Sequence, residues 1–153
     1  VDVEPNAELR AAGLRVTPGR SAVLEVLTEH PHSSAESLNR MLRQTLPGIS
    51  VQSVHNVLAD LTTARLLRRF EPAGSAALYE RRIGDNHHHV ICTGCSAVAD
   101  VDCVQGPAPC LAPNDTSGFD VSVAEVTFWG LCASCQKSRP TASEPPTIKE
   151  IVP

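Results

Sequence analysis

Cysteine and histidine crowd into one stretch of this chain. His87-His88-His89-Val90-Ile91-Cys92-Thr93-Gly94-Cys95 runs three imidazoles into a C-x-x-C pair, and a second pair, Cys132-Ala133-Ser134-Cys135, closes the ordered-looking part of the sequence. Thiolates bind Zn²⁺ tightly, and two such knuckles supply four sulfurs for a closed tetrahedral site. If the histidine tract is a strand, His87 and His89 share one face and His88 takes the other. The stretch therefore suggests two metal sites. One is all sulfur, built from Cys92, Cys95, Cys132 and Cys135. The other recruits His87 and His89 and needs partners from elsewhere in the chain.

The elements that would position those partners begin near the N-terminus. Asn6 to Leu14 reads as a short helix stopped near Gly13. Thr17-Pro18 is an N-cap followed by proline at the first helical position, and Ala22, Val23, Val26 and Leu27 give the apolar stripe of a helix reaching Glu29. Ser33-Ser34-Ala35-Glu36 has a capping-box pattern for a third helix, with Leu38, Met41 and Leu42 inward. Pro47-Gly48 breaks that helix, and Ser50 caps a fourth with Val51, Val54, Val57, Leu58 and Leu61 inward. Its outer face carries Gln52, Ser53, His55 and Asn56, which can hydrogen-bond base edges. Leu66–Glu71 and Ala76–Glu80, around Pro72-Ala73-Gly74-Ser75, make a hairpin. Helices followed by a hairpin describe a winged helix, or else a small α+β module that binds protein. Arg68 and Arg69 on the first wing strand suit phosphate contacts.

Charge fits the nucleic-acid alternative locally, and on charge alone it fits a solvated surface with scattered arginines equally well. The net charge is −4, but Arg40 to Arg82 contains seven arginines against Asp60, Glu71 and Glu80. A basic patch confined to one segment is the electrostatic footprint of a phosphate-binding surface. Past Arg82 the chain is acidic. Val90-Ile91 and Ala97–Val101 look like strands flanking the first knuckle, and Phe119, Val121, Val123, Val126 and Phe128 alternate as strand residues. Cys103 to Cys110 is rich in Pro and Gly, and from Gln136 onward Ser, Pro, Thr and Glu predict a flexible tail. With no membrane-length apolar run and no signal-like start, a soluble cytoplasmic protein is expected. There C-x-x-C pairs serve zinc or redox chemistry rather than structural disulfides. No nucleophile motif, phosphate loop or deaminase-type H-x-E with P-C-x-x-C is present, so an enzyme is not expected.

Together, Gly13-Leu14-Arg15-Val16-Thr17-Pro18-Gly19-Arg20, His32-Ser33-Ser34-Ala35-Glu36, Ser53-Val54-His55-Asn56-Val57-Leu58, H-x-H-x-x-C-x-x-C and the closing C-x-x-C resemble the ferric uptake regulator family from Glu8 to Cys135. Cys103, Cys110 and Ala73-Gly74-Ser75 look most like its actinobacterial, catalase-linked branch. The resemblance implies an α+β chain: a winged helix-turn-helix domain over 1–82, a hinge at 83–86, a small α/β dimerisation and metal-binding domain with a four-cysteine zinc site over 87–135, and a tail over 136–153. It implies a homodimeric repressor of AT-rich inverted-repeat operators, with structural Zn²⁺ and a regulatory Fe²⁺ or Mn²⁺ held by His32, Glu80, His87, His89 and Asp100. Imidazole and carboxylate without thiolate suit those ions. Ser53, His55 and Asn56 would face the major groove and Arg15 would lie near the minor groove.

The function expected is peroxide sensing through Fe²⁺, with oxidation of His32 or His87 as the switch and Cys103 and Cys110 as the competing thiol route. The runner-up is an iron-homeostasis repressor. A zinc-thiol redox-switched chaperone would explain the cysteines but not the winged helix. Three departures from the family stand out: His55 replaces a common tyrosine, Arg65 a usual glycine, and the Pro-rich 103–110 segment a helix. A third metal site found in some relatives is not expected, because Val121–Leu131 contains no histidine.

Overall fold

The computed structural model describes residues 4–85, 87–102, 115–120 and 126–138. The chain divides into two compact units, Val1–Asp85 and Asn86–Pro153.

The first unit is helical. α1 spans Pro5–Ala11 and α2 spans Pro18–Glu29. Proline opens each of them, where its missing N–H costs no intrahelical bond. α1 ends earlier than expected because Gly13, at φ 71°, closes it. Gly13 N–H donates to Arg10 C=O and Leu14 N–H to Leu9 C=O, the paired bonds of a Schellman stop. Thr17 Oγ1 accepts from Arg20 N–H at the start of α2, as its sequence predicts.

A two-residue strand, β1 (Ser33–Ser34), precedes α3 (Ala35–Leu42). β1 corrects the capping-box expectation. Ser33 is drawn into pairing with Tyr79, so Ser34 becomes the N-cap and accepts from Ser37 N–H, leaving Glu36 outside any box. α4 (Val51–Thr63) is capped by Ser50 as expected. Val51, expected inward, is 42% exposed, since the first helical residue sits beyond the core and the buried stripe starts at Val54. α4 ends in a second Schellman stop, with Arg65 at φ 57° where glycine is favoured. That is the structural consequence of the Gly-to-Arg departure.

The wing strands β2 (Arg68–Phe70) and β3 (Leu78–Glu80) are shorter than expected. Leu66 and Leu67 are spent leaving α4 and filling the core. Ser75 N–H closes the Pro72–Ser75 turn onto Pro72 C=O, and Gly74 supplies φ 75°. The sheet order is β1-β3-β2, all antiparallel. Leu9, Leu24, Leu27, Leu38, Leu42, Leu58 and Leu61 form its leucine-rich core. Buried Asn39 donates to Ile49 C=O and ties α3 to the loop before α4.

The second unit holds a three-stranded sheet of order β5-β4-β6, from β4 (His88–Cys92), β5 (Val98–Val101) and β6 (Thr127–Gly130). β4 pairs antiparallel with β5 and parallel with β6. Phe119, expected in a strand, instead closes a turn on Thr116 through Ser117 and Gly118, both at positive φ, and is 76% exposed. Val121 and Val123 lie outside the described residues, as do Cys103 and Cys110. Gln136 and Lys137, expected in the tail, are helical, and residues 139–153 lie outside the described residues. α5 (Ala133–Lys137) carries the chain through Gln136, whose side chain donates to Leu131 C=O. Among the described residues no helix is long and apolar enough to cross a membrane.

Candidate metal centres and nucleic-acid interface

The two knuckles meet at one end of the second sheet. Cys92 ends β4, and the chain turns back through Thr93–Ser96 with Cys92 N–H bound to Ala97 C=O. Parallel pairing sets Cys92 beside Gly130, and Cys132 follows two residues later. Ligand atoms of Cys92, Cys95, Cys132 and Cys135 all lie within 4.8 Å of one another. A tetrahedral zinc with Zn–S bonds of about 2.3 Å separates its sulfurs by about 3.8 Å. Cys95 Sγ and Cys132 Sγ are 3.8 Å apart. Four sulfurs at that spacing, with no carboxylate among them, fit Zn²⁺.

The knuckles also prepare their sulfurs electrostatically. Backbone N–H groups of Cys132, Cys95 and Gly94 point at Cys92 Sγ and lower its thiol to about 6. The neighbouring sulfurs push Cys135 up to about 12. Crowding thus favours the thiolate at Cys92 and the thiol at Cys135 until a cation compensates the added charge.

Each unit carries imidazole and carboxylate donors. In the second, the rings of His87 and His89 are 5.0 Å apart, edge to face. His88 turns to the opposite side, against Phe128. Register places Asp100 directly across from His89. Its Oδ1 lies 3.7 Å from His89 Nε2 and 4.0 Å from His87 Nε2. In the first unit, His32 sits at φ 59° in the loop before β1 and points Nε2 at Glu80 Oε2, 3.0 Å away. All these donors are nitrogen or oxygen, suited to Fe²⁺ or Mn²⁺ rather than to a thiophilic ion.

The outer face of α4 is exposed at Gln52, Ser53, His55 and Asn56. Gln52 donates to Asn56 Oδ1 at 3.0 Å, and Ser53 Oγ meets Ser50 Oγ at 2.8 Å. Arg15 is exposed just before α2, and its carbonyl accepts from Arg20, which also pairs with Asp60 of α4. The wing arginines differ. Arg69 pairs with Glu71 at 2.7 Å, while Arg68 lies across the ladder from Glu80 with Nε 3.7 Å from Oε1. Sequence reading missed Arg20, Arg81 and the Arg68–Glu80 pairing. Arg81 clamps Glu8 through both carboxylate oxygens and donates to Thr28. Nothing in local spacing signals contacts this far apart in the chain.

A winged-helix unit joined to a unit bearing a four-thiolate centre and imidazole–carboxylate donors defines a metal-dependent transcriptional regulator. The chain belongs to the ferric uptake regulator family, whose model matches residues 11–106. It is 49% identical over 138 residues to the transcriptional regulator FurA of Mycobacterium tuberculosis, covering 90% of this chain and 94% of that one. It is 31% identical over 135 residues to the peroxide-responsive repressor PerR of Staphylococcus aureus, covering 87% and 90%. Among solved structures, the ferric uptake regulator of Vibrio cholerae superposes with a TM-score of 0.63 at 25% identity, covering 83% of this chain and 98% of that one.

Proposed function

We propose that this chain is a homodimeric, metal-dependent repressor that binds AT-rich inverted-repeat DNA and senses peroxide through Fe²⁺. The observation that carries this reading is the segregation of donors. Among the described residues cysteine sulfur is confined to the knuckles, while His32, Glu80, His87, His89 and Asp100 offer only nitrogen and oxygen. The four cysteines hold structural zinc. His32 and Glu80 of the first unit and His87, His89 and Asp100 of the second serve one regulatory ion, with residues 83–86 as the hinge. Binding that ion sets the angle between the units, and in a dimer the angle sets the spacing of two recognition helices. Gln52, Ser53, His55 and Asn56 read the major groove, Arg15 lies near the minor groove, and Arg68 and Arg69 meet phosphate.

Fe²⁺, when bound, would supply the chemistry that cleaves the O–O bond of H₂O₂, while the two electrons that peroxide takes up overall come from the imidazole. The oxidised group is an imidazole of this chain, at His32 or His87. One oxygen atom is inserted at a ring C–H, the peroxide's other oxygen leaves as water, and a good ligand is lost. The ion and then the operator dissociate. Mn²⁺ supports DNA binding without this step.

The test is a gel shift with AT-rich inverted-repeat DNA, followed by peptide mass spectrometry after peroxide. Fe²⁺-loaded protein should lose DNA binding and gain one oxygen on a His32 or His87 peptide, and Mn²⁺-loaded protein should do neither. A Cys103→Ser/Cys110→Ser variant should still respond. If that variant fails to respond, and the wild type shows no histidine oxidation, a thiol switch replaces this mechanism. The similarity to FurA favours a second reading, an iron-homeostasis repressor with the same ligands. In that case Fe²⁺ and Mn²⁺ would both activate DNA binding, and peroxide would leave it unchanged.

A further inference from the structure

We propose that Arg68 and the regulatory metal ion compete for the carboxylate of Glu80, so that metal binding releases Arg68 to a DNA phosphate. The competition presupposes that His32 and Glu80 ligate the ion, as proposed above. It is built into the wing sheet. The β2–β3 register sets Arg68 opposite Glu80, so both side chains project from the same face. Glu80 divides its two oxygens: Oε2 lies 3.0 Å from His32 Nε2, and Oε1 lies 3.7 Å from Arg68 Nε. Without metal, Arg68 balances the carboxylate charge. A divalent ion brought to His32 and Glu80 supplies that balance twice over and leaves a guanidinium facing a cation a few ångströms away.

Repulsion then favours turning Arg68 outward. Its side chain is already 26% exposed, which gives the guanidinium a route to solvent on the wing. Arg69 differs, because it alternates to the other face and pairs with Glu71. Only one of the two wing arginines therefore reports metal occupancy to the DNA surface. Metal and DNA would be linked within the first unit, independently of any change in the angle between the units.

The first arm of the test titrates Co²⁺ into the zinc-loaded full chain without DNA, following the weak d–d bands of a nitrogen–oxygen site. Arg68→Gln removes the competing charge and should tighten Co²⁺ binding by roughly two- to fivefold, the worth of a partly exposed ion pair that the metal no longer has to displace. Arg68→Lys, which keeps the charge, should stay near wild type, and so should Arg69→Gln. A residue that merely held the sheet together would weaken Co²⁺ binding when removed, so weakened or unchanged binding in Arg68→Gln overturns the competition. If wild type shows no nitrogen–oxygen Co²⁺ site at all, the metal-site reading itself falls, and the competition falls with it. The second arm measures salt dependence on an AT-rich duplex with and without Mn²⁺. Mn²⁺ should steepen the slope in wild type by about 0.9 per chain more than in Arg68→Gln, the signature of one added phosphate contact. Equal Mn²⁺ increments in the two proteins would also overturn it.

Discussion

Gly94, between the two cysteines of the first knuckle, gives the sharpest prediction. A Cβ at this position would lie 3.0 Å from Cys135 Sγ, 3.2 Å from Leu131 Cδ2 and 3.3 Å from Cys135 Cβ. The backbone torsion there is ordinary, so the penalty of Gly94→Ala is contact alone. Ordinary contact begins near 3.4 Å, so Cys135 must retreat by a few tenths of an ångström. Zinc–sulfur bonds tolerate only about 0.2 Å of displacement, so the retreat is felt at the metal. Overpacking of this kind costs about 1–3 kcal/mol. At about 1.4 kcal/mol per decade, the zinc dissociation constant should rise roughly five- to 150-fold. Gly130→Ala is the matched control, since a Cβ there meets nothing within 4 Å although the residue pairs with Cys92. Competition against a chromophoric chelator reads the affinity, and fluorescence of Trp129, the chain's one tryptophan, follows release. Equal zinc affinity in Gly94→Ala and wild type would show that the knuckles do not converge as described.

Three further outcomes are expected. Arg65→Gly removes a side chain from a left-handed position, so it should stabilise the first unit by about 0.5–1 kcal/mol and raise its melting temperature by about 2–8 °C; a lower melting temperature by circular dichroism would refute the strain. Arg81→Ala should cost about 1–2 kcal/mol in urea unfolding through loss of the two-pronged Glu8 contact and the Thr28 bond, a figure kept small by partial exposure. Arg81→Lys should recover only part of it, because the guanidinium holds Glu8 from one nitrogen and Thr28 from the other, and full recovery would refute that division. Asn56→Ala should erode the preference for operator over non-specific DNA by about 1–3 kcal/mol, measured as a ratio of affinities at one salt concentration. An unchanged ratio would move base reading away from the outer face of α4.

Local spacing decided much of this protein before any fold was known. Thr17 and Ser50 as helix caps, the turn at Pro72–Ser75, the outward polar face of α4 and the two C-x-x-C knuckles each depend on residues within a few positions of one another. Short-range hydrogen bonding and helical periodicity fix such features, so sequence alone carries them. The resemblance from Glu8 to Cys135 then supplied the family, which the match over residues 11–106 shows.

Strand register and packing decided the rest. The capping-box spacing of Ser33 and Glu36 put the cap of α3 at Ser33, and pairing of Ser33 with Tyr79 moved it to Ser34. Arg68 read as a free phosphate contact until the β2–β3 ladder set it against Glu80. Asp100 reaches His89 because β5 pairs with β4 in one register, and a slip of one residue would turn its carboxylate to the other face. Phe119 has the alternating neighbours of a strand, yet the Ser117-Gly118 turn places it at a corner. Many registers satisfy the same alternation of apolar and polar residues. The choice among them rests on contacts between segments far apart in the chain, and those exist only once the chain has folded.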